Sequence, residues 1–214
     1  MILGMAISGV AALWVRRSYS KYSKQMSNSG MTGAQTARMI LDRNGLTNVR
    51  VEPVAGTLTD HYDPGAKVVR LSEDNFSKNS VAGVSVAAHE VGHAIQDASG
   101  YVPMKLRSGL VPIANISSQL WMPLFMLGVF GLGTFFIELA VVLFLGVLAF
   151  HVVTLPVEIN ASTRAYGMLT NYGVLSHNEA GGTKRVLSAA AFTYIAAALT
   201  SLLTLLYLLL LSQE

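Results

Sequence analysis

The residues best suited to chemistry form one pentapeptide, His89-Glu90-Val91-Gly92-His93. Two histidines four residues apart on a helix lie on one face, one turn apart, so both imidazoles can reach one metal ion. Glu90 follows the first histidine and can lie beside an open coordination position of that metal. The pattern matches the H-E-x-x-H motif of two zinc ligands and a general base for peptide hydrolysis. Such a pentapeptide also arises by chance on core helices. A third metal ligand elsewhere in the chain is needed to distinguish a metal site from a chance match.

The residues around the motif predict that it lies on a helix of a small α+β unit. Asn79 or Ser80 can be the N-cap, the run 81–98 is rich in alanine and valine, and Gly100 can end the helix. Earlier in the chain, Thr32 and Gln35 form a capping box for a helix that runs to Asn44 and stops at Gly45.

Two strands are predicted in the same unit, at residues 48–54 and 67–71. His61 and Tyr62 precede the turn at residues 63–65. We expect them to shape a loop, and the alternative is a role in zinc binding or catalysis. The run 67–71 is either an ordinary sheet strand or an edge strand that aligns a substrate by β-addition.

The composition indicates a mainly α membrane protein. Of the 214 residues, 52% are hydrophobic and 13% are charged, whereas soluble domains carry about 25% charged residues. The chain has no cysteine, so a zinc site must use histidine, aspartate or glutamate. The basic residues are not interleaved with aromatic ones, and nucleic acid is therefore not an expected partner.

About four transmembrane helices organise the predicted domains. Residues 1–15 are an N-terminal anchor, 110–155 a helical hairpin that turns at Gly131-Leu132-Gly133, and 186–214 a C-terminal transmembrane helix. The anchor is short, roughly 22 Å against a bilayer core of about 30 Å. A cleaved leader or a peripheral hairpin is the alternative for this segment. Between the spans lie the α+β region, 16–109, and a polar segment, 156–185.

The basic residues predict the orientation of these segments. All 15 lie between Arg16 and Arg107 or between Arg164 and Arg185. Lysine and arginine near membrane segments favour the cytoplasmic side. We therefore expect a multi-pass protein of the cell membrane with both termini outside, the bilayer as partner, and its active site facing the cytoplasm.

Two residues beyond the third apolar segment could be the third ligand, His151 and Glu158. They are seven residues apart, which is about 10 Å along a helix, so one ion cannot easily use both. Pro156 predicts a kink, after which Glu158 opens a new helix at the membrane surface. Glu158 is favoured because His151 lies within the apolar run, and because a carboxylate adds a compensating negative charge.

The sequence around Glu158 resembles a known pattern. Glu158-x-x-Ala161-Ser162 is similar to the Glu-x-x-Ala-Asp motif of membrane zinc peptidases of the HtpX and CAAX-prenyl type. That similarity implies that Glu158 is the third zinc ligand. Ser162 stands where the motif prefers aspartate, and it would orient a ligand histidine as a weaker partner.

A closer resemblance covers nearly the whole chain. Four motifs are similar to those of the YugP-like neutral zinc metallopeptidases, at residues 60–64, 88–96, 105–108 and 155–158. The family consists of multi-pass proteins of bacterial membranes. The resemblance implies a zincin-like cytoplasmic unit that binds Zn²⁺ through His89, His93 and Glu158, with Glu90 as the general base.

These residues predict a membrane-embedded zinc endopeptidase that cleaves a peptide or protein substrate. Arg164, Tyr166 and His177 are candidates for a second electrophile, and their alternatives are an interfacial arginine, an interfacial tyrosine and a loop histidine. Glu138 is ionisable, but near the outer interface it can reach water. The alternative function is a non-enzymatic membrane scaffold or adaptor that retains a zinc site, although such a site would not need Glu90.

Overall fold

A computed structural model describes residues 2–212. Met1, Gln213 and Glu214 lie outside the described residues, so the outer ends of the first and last predicted segments lie outside them too. The elements, in chain order, are α1 (Ile2–Tyr22), α2 (Gly33–Arg43), β1 (Arg50–Val54), β2 (His61–Asp63), β3 (Val68–Ser72), α3 (Glu73–Ser77), α4 (Val81–Ala98), α5 (Val102–Leu127), a π-helical turn (Gly128–Leu132), α6 (Thr134–Asn171) and α7 (Ala180–Leu211).

The described residues fall into two compact units. One comprises residues 2–12, 102–156 and 193–212, and we call it the apolar unit. The other comprises residues 13–101 and 157–192, and we call it the α+β unit.

The helix ends in the α+β unit confirm the predicted caps. The side chain of Thr32 accepts from the backbone N–H of Gln35, and the Gln35 side chain accepts from the N–H of Thr32. Ser80 is the N-cap of α4, where its hydroxyl accepts from the N–H of Gly83. The buried faces of α2, α4 and β3 then meet in one apolar core, which includes Ile40, Leu41, Val69, Leu71, Val84, Ala88, Val91 and Leu169.

The sheet has the order β1-β3-β2, with β3 parallel to β1 and antiparallel to β2. The edge-strand interpretation of residues 67–71 was therefore wrong, because β3 is paired on both sides. The expected loop at His61 and Tyr62 was also wrong. These residues form the edge strand β2, which is only three residues long and too short to show an alternating pattern.

Within residues 2–212, three helical stretches are long and apolar enough to cross a membrane. They are Val102–Leu132, Thr134–Asn171 and Ala180–Leu211. Helix α1 is not among them, since its last two turns carry Arg16, Arg17 and Lys21. The mainly helical class is confirmed, together with a small mixed sheet.

The apolar unit contains the predicted hairpin turn. Gly131 and Gly133 have φ values of 89° and 111°, a backbone conformation that glycine adopts without steric cost. After the turn, α6 packs against α5 closely enough that a Cβ on Gly146 would lie 2.9 Å from Oγ of Ser117. Val141, Phe144, Leu205 and Leu208 form the buried apolar cluster of this unit.

Helix α6 runs without interruption through Pro156 to Asn171. The prediction that a new helix opens at Glu158 was therefore wrong. Proline lacks one N–H donor and crowds the preceding turn, which usually breaks a helix in water. In a long apolar helix, neighbouring groups can compensate for the missing bond, and the proline is tolerated. Glu158 consequently lies inside a continuous helix of 38 residues.

Candidate metal centre

Three side chains in the α+β unit converge on one point. His89 and His93 come from α4, and Glu158 comes from α6. Oε2 of Glu158 lies 3.2 Å from Nε2 of His89 and 3.5 Å from Nε2 of His93. One potential ligand atom from each residue lies within 4.8 Å of the other two. The imidazole rings stand 4.7 Å apart, nearly perpendicular at 85°.

Gly92 allows the two helices that carry the converging residues to approach each other. A Cβ at this position would lie 2.8 Å from the carbonyl oxygen of Ala161 on α6. That distance is closer than a methyl group tolerates, so the glycine inside the H-E-x-x-H motif sets the spacing between α4 and α6. Buried alanines at 88, 161 and 165 keep the surrounding contact surface small.

The carboxylate of Glu158 fits a bound cation. Its side chain is only 2% exposed, and Oε2 faces both histidines. Within the described residues, its other oxygen, Oε1, is buried and has no hydrogen-bond donor. A buried carboxylate oxygen without a donor is costly, because desolvation is not compensated. A metal ion that contacts both carboxylate oxygens would reduce that cost. Two imidazole nitrogens and one carboxylate are also a donor set that suits zinc with one position left open.

The outer nitrogens of both imidazoles have partners of their own. Nδ1 of His89 lies 3.2 Å from Oγ of Ser162. Nδ1 of His93 lies 3.0 Å from Oε1 of Gln96. When Nδ1 carries the proton, Nε2 keeps its lone pair for a metal, which is the usual role of such partners. Ser162 therefore lies where an orienting residue should be.

Gln96 is a residue of this site that sequence reasoning missed. It is fully buried, and its Nε2 donates to the carbonyl oxygen of Val157 at 2.8 Å and to Oδ1 of Asn160 at 3.0 Å. One side chain thus bonds to a histidine of α4 and to the helix that carries Glu158. The available signal was its position, since a glutamine three residues after His93 falls on the buried, apolar face of α4.

Glu90 is buried beside the three converging side chains. Burial raises the pKa of its carboxyl above the ordinary value, while His89 and His93 oppose that rise. Burial alone would lower the pKa of His93, but the hydrogen bond to Glu158 and the charge of Glu90 raise it. The carboxylates that favour a proton on His93 would equally favour a metal ion in its place.

Asp60 is a second neighbour of Glu90 to which the sequence assigned no role. It accepts hydrogen bonds from the N–H and hydroxyl of Ser72 and from Nδ2 of Asn75. Its negative charge contributes to the raised pKa of Glu90. Tyr19 on α1 donates to Asn75 at 3.0 Å and so joins the same buried network.

The proposed second electrophiles do not bond to the converging side chains. Nε of Arg164 donates to Oδ1 of Asn160 at 2.7 Å, and Asn160 in turn bonds to Gln96, the partner of His93. The ring of Tyr166 lies 4.9 Å from Nζ of Lys184. His177 is exposed in the loop that precedes α7.

His151, the alternative third ligand, lies elsewhere. Its Nδ1 is 2.7 Å from Oγ of Ser201, within the apolar unit. It is not one of the three residues whose ligand atoms converge, and Glu158 occupies that place.

Comparison with known proteins agrees with this geometry. The profile of the family described as "Putative neutral zinc metallopeptidase" matches residues 1–213. The chain belongs to this family. One relative is the Bacillus subtilis (strain 168) protein named "Putative membrane protease YugP", which is 48% identical over 206 residues, 96% of this chain and 91% of the relative. No solved structure matches the chain. The family match includes both α4 and α6, the two helices that carry the converging residues.

Proposed function

We propose that this protein is a membrane-embedded zinc endopeptidase. The observation that carries the proposal is the convergence of His89, His93 and Glu158, with Glu90 buried next to them. Family membership and the name of the relative, a membrane protease, point in the same direction. The proposed substrate is a peptide or a protein, including membrane-associated chains.

His89, His93 and Glu158 would hold the metal through Nε2, Nε2 and the carboxylate. Zinc bound there supplies Lewis acidity and lowers the pKa of a coordinated water toward about 7. Two neutral imidazoles and one carboxylate leave the site with a net charge of plus one. Ser162 and Gln96 hold the outer nitrogens and thereby keep both rings oriented.

Glu90 is the proposed general base. Its carboxylate accepts a proton from the attacking water and then delivers that proton to the leaving amine. To act as a base, Glu90 must be unprotonated before the water attacks. A positive charge at the neighbouring site favours this state, since His89 and His93 already act against the rise in its pKa when they are charged.

Strand β2 is the proposed place for an extended substrate. It is one of the two edge strands of the sheet, and among the described residues it pairs only with β3. A free edge can bind a peptide backbone by β-addition, which selects little for side chains. The hydroxyl of Tyr62 donates to Asp97 at 2.7 Å, and this bond ties β2 to the helix that carries His89 and His93.

The proposed location is the cell membrane, with the α+β unit facing the cytoplasm. The one-sided distribution of basic residues supports this orientation. We also propose that α1 enters the bilayer as a fourth helix. Its 21 residues would measure about 31 Å at full helical rise, although the last two turns are basic and would lie at the surface.

The test is Glu90→Gln. Purified wild-type protein and variant are incubated with a library of peptides, and cleavage is detected as new termini by mass spectrometry. We expect equal zinc content, with cleavage by the wild type alone. A wild type that binds zinc yet produces no new termini beyond those of the variant would instead support the scaffold, because a structural site needs no base.

A further inference from the structure

Four basic side chains line one groove on α1 and the residues that follow it. We call this surface the basic groove, and it comprises Leu13, Arg16, Arg17, Ser20, Lys21 and Lys24. Its volume is about 480 Å³, all within the α+β unit. Every lining residue is exposed. Nothing in the proposed peptidase mechanism uses it.

Within residues 2–212, no carboxylate pairs with the charges of the basic groove, although Nζ of Lys21 lies 5.4 Å from the ring of Tyr22. The first acidic residue of the sequence is Asp42, so none lies on or near α1 in the chain. Among the described ion pairs, Arg38, Lys67 and Lys78 of the same unit contact carboxylates, whereas none of the four groove cations does. Four other basic residues of the unit also make no described ion pair: Arg43, Arg164, Lys184 and Arg185. Four cations held this close repel one another, and an anion between them would relieve the repulsion.

The residues of the basic groove change in character along α1, from apolar at one end to cationic at the other. Arg17 and Lys21 are one turn apart, as are Arg16 and Ser20, so these side chains share a face. At the other end of the groove lies the exposed Leu13, 53% accessible, within the last turn of the apolar run of residues 1–15. The groove is therefore cationic at one end and apolar at the other. A phospholipid with an anionic headgroup has the same division, whereas a small soluble anion would not use Leu13.

We propose that the basic groove binds the phosphodiester headgroup of anionic phospholipids, with Leu13 against the start of an acyl chain. Clusters of basic residues next to an apolar segment attract anionic lipid at the membrane surface. This inference is independent of the peptidase assignment. It adds a ligand class, and it gives a role to the three cations at the end of α1 and to Lys24 just after it.

Native mass spectrometry of the full-length protein tests the proposal. The protein is mixed in detergent with equal amounts of phosphatidylglycerol and phosphatidylcholine that have identical acyl chains, and the retained lipids are counted. We expect the wild type to retain phosphatidylglycerol in preference by at least about tenfold, because each basic residue near an anionic headgroup adds to the attraction. The groove variant should lose this preference. It contains Arg16→Gln, Arg17→Gln, Lys21→Gln and Lys24→Gln.

A control variant also removes two arginines and two lysines, but from parts of the α+β unit outside the groove. It should keep the wild-type preference. It contains Arg43→Gln, Arg50→Gln, Lys67→Gln and Lys78→Gln. Equal retention of phosphatidylglycerol by the groove variant, or an equal loss in the control, overturns the proposal. If the groove variant does not fold, Lys21→Glu alone must lower the preference for phosphatidylglycerol. An unchanged ratio of the two retained lipids in Lys21→Glu would also overturn the proposal.

A second arm separates a lipid from a free anion. Inorganic phosphate at millimolar concentration is added, and the ratio of retained lipids is measured again. A lipid site keeps its preference, and Leu13→Ser weakens it. If phosphate displaces phosphatidylglycerol completely and Leu13→Ser has no effect, the groove is a site for soluble anions and the lipid assignment is wrong. Displacement by a short oligonucleotide at equal phosphate concentration would likewise contradict it.

Discussion

Oε1 of Gln96 lies 3.0 Å from Nδ1 of His93, while the amide nitrogen of the same side chain donates to α6. One buried residue thus orients a histidine and connects it to the helix that carries the carboxylate. Partners of this kind stabilise metal sites through ligand orientation, although they do not touch the metal.

Gln96→Leu should therefore weaken zinc binding about 10- to 100-fold. Leucine has a similar volume but neither accepts from Nδ1 of His93 nor donates to Val157. Competition with a chromophoric chelator measures the affinity. Gln96→Glu keeps an oxygen that accepts from His93 but loses the amide N–H groups, so its zinc affinity should lie between those of the wild type and Gln96→Leu. Gln119→Leu, at an exposed position, should bind zinc as the wild type does. Wild-type affinity in Gln96→Leu would show that the hydrogen bonds do not orient the site.

Glu158→Ala should bind zinc far more weakly than the wild type, whereas His151→Phe should bind it nearly as well. Glu158 converges with His89 and His93, and His151 instead contacts Ser201. Metal content after dialysis, measured by mass spectrometry of the elements, compares the two variants. The opposite result, with zinc lost in His151→Phe and kept in Glu158→Ala, would remove the basis for the third ligand.

Gly92→Ala should destabilise the protein by about 1–3 kcal/mol, the range for an overpacked contact. The added Cβ would lie 2.8 Å from the carbonyl oxygen of Ala161 and would push α4 away from α6. Thermal unfolding measures the loss of stability, and zinc affinity should fall as well because the proposed ligands lie on both helices. Gly167→Ala on α6 is the control, since a Cβ there meets no atom within 4 Å.

The stability contributed by Glu179 should depend on pH. Burial raises the pKa of this carboxyl, but hydrogen bonds from the hydroxyl and N–H of Ser176 and from the N–H of Asn28 outweigh burial and lower it. A lowered pKa in the folded state means that the stabilisation is present above the unfolded value of about 4.3. It disappears as the pH falls through the lower, folded value.

We accordingly expect Glu179→Gln to unfold at a lower temperature than the wild type at pH 7, with a difference that narrows below about pH 4. Both proteins are measured without metal, so that loss of zinc in acid does not contribute. If the difference in unfolding temperature stayed constant from pH 7 to pH 3, the charge of the Glu179 carboxylate would not be what stabilises the segment around Ser176 and Glu179.

The orientation in the membrane can be tested with single cysteines, because the chain has none of its own. Leu132→Cys, in the exposed hairpin turn, should react with a membrane-impermeant maleimide in intact cells. Lys105→Cys should react only after permeabilisation. The reverse pattern would place the α+β unit outside the cell and contradict the cytoplasmic site.

The sequence by itself determined the features that depend on neighbours a few residues away. The cap at Thr32, a cap at Asn79 or Ser80, the shared face of His89 and His93, and the hairpin glycines all follow from local backbone geometry, which the pattern of residues specifies. The structure then identifies Ser80 as the cap. The apolar segments follow from composition in the same way, and the four motifs sufficed to indicate the family.

The tertiary structure decided what depends on distant parts of the chain. Glu158 and His89 are 69 residues apart, and the sequence could rank Glu158 above His151 only by argument. The links from Gln96 to Val157 and Asn160, the close contact of Gly92 with Ala161, and the central place of β3 arise when separate elements pack together. Packing also explains why α6 continues through Pro156, since tertiary packing can override the local preference of a residue. Long-range contacts of this kind leave no periodic signal in one sequence, and only the folded chain reveals them.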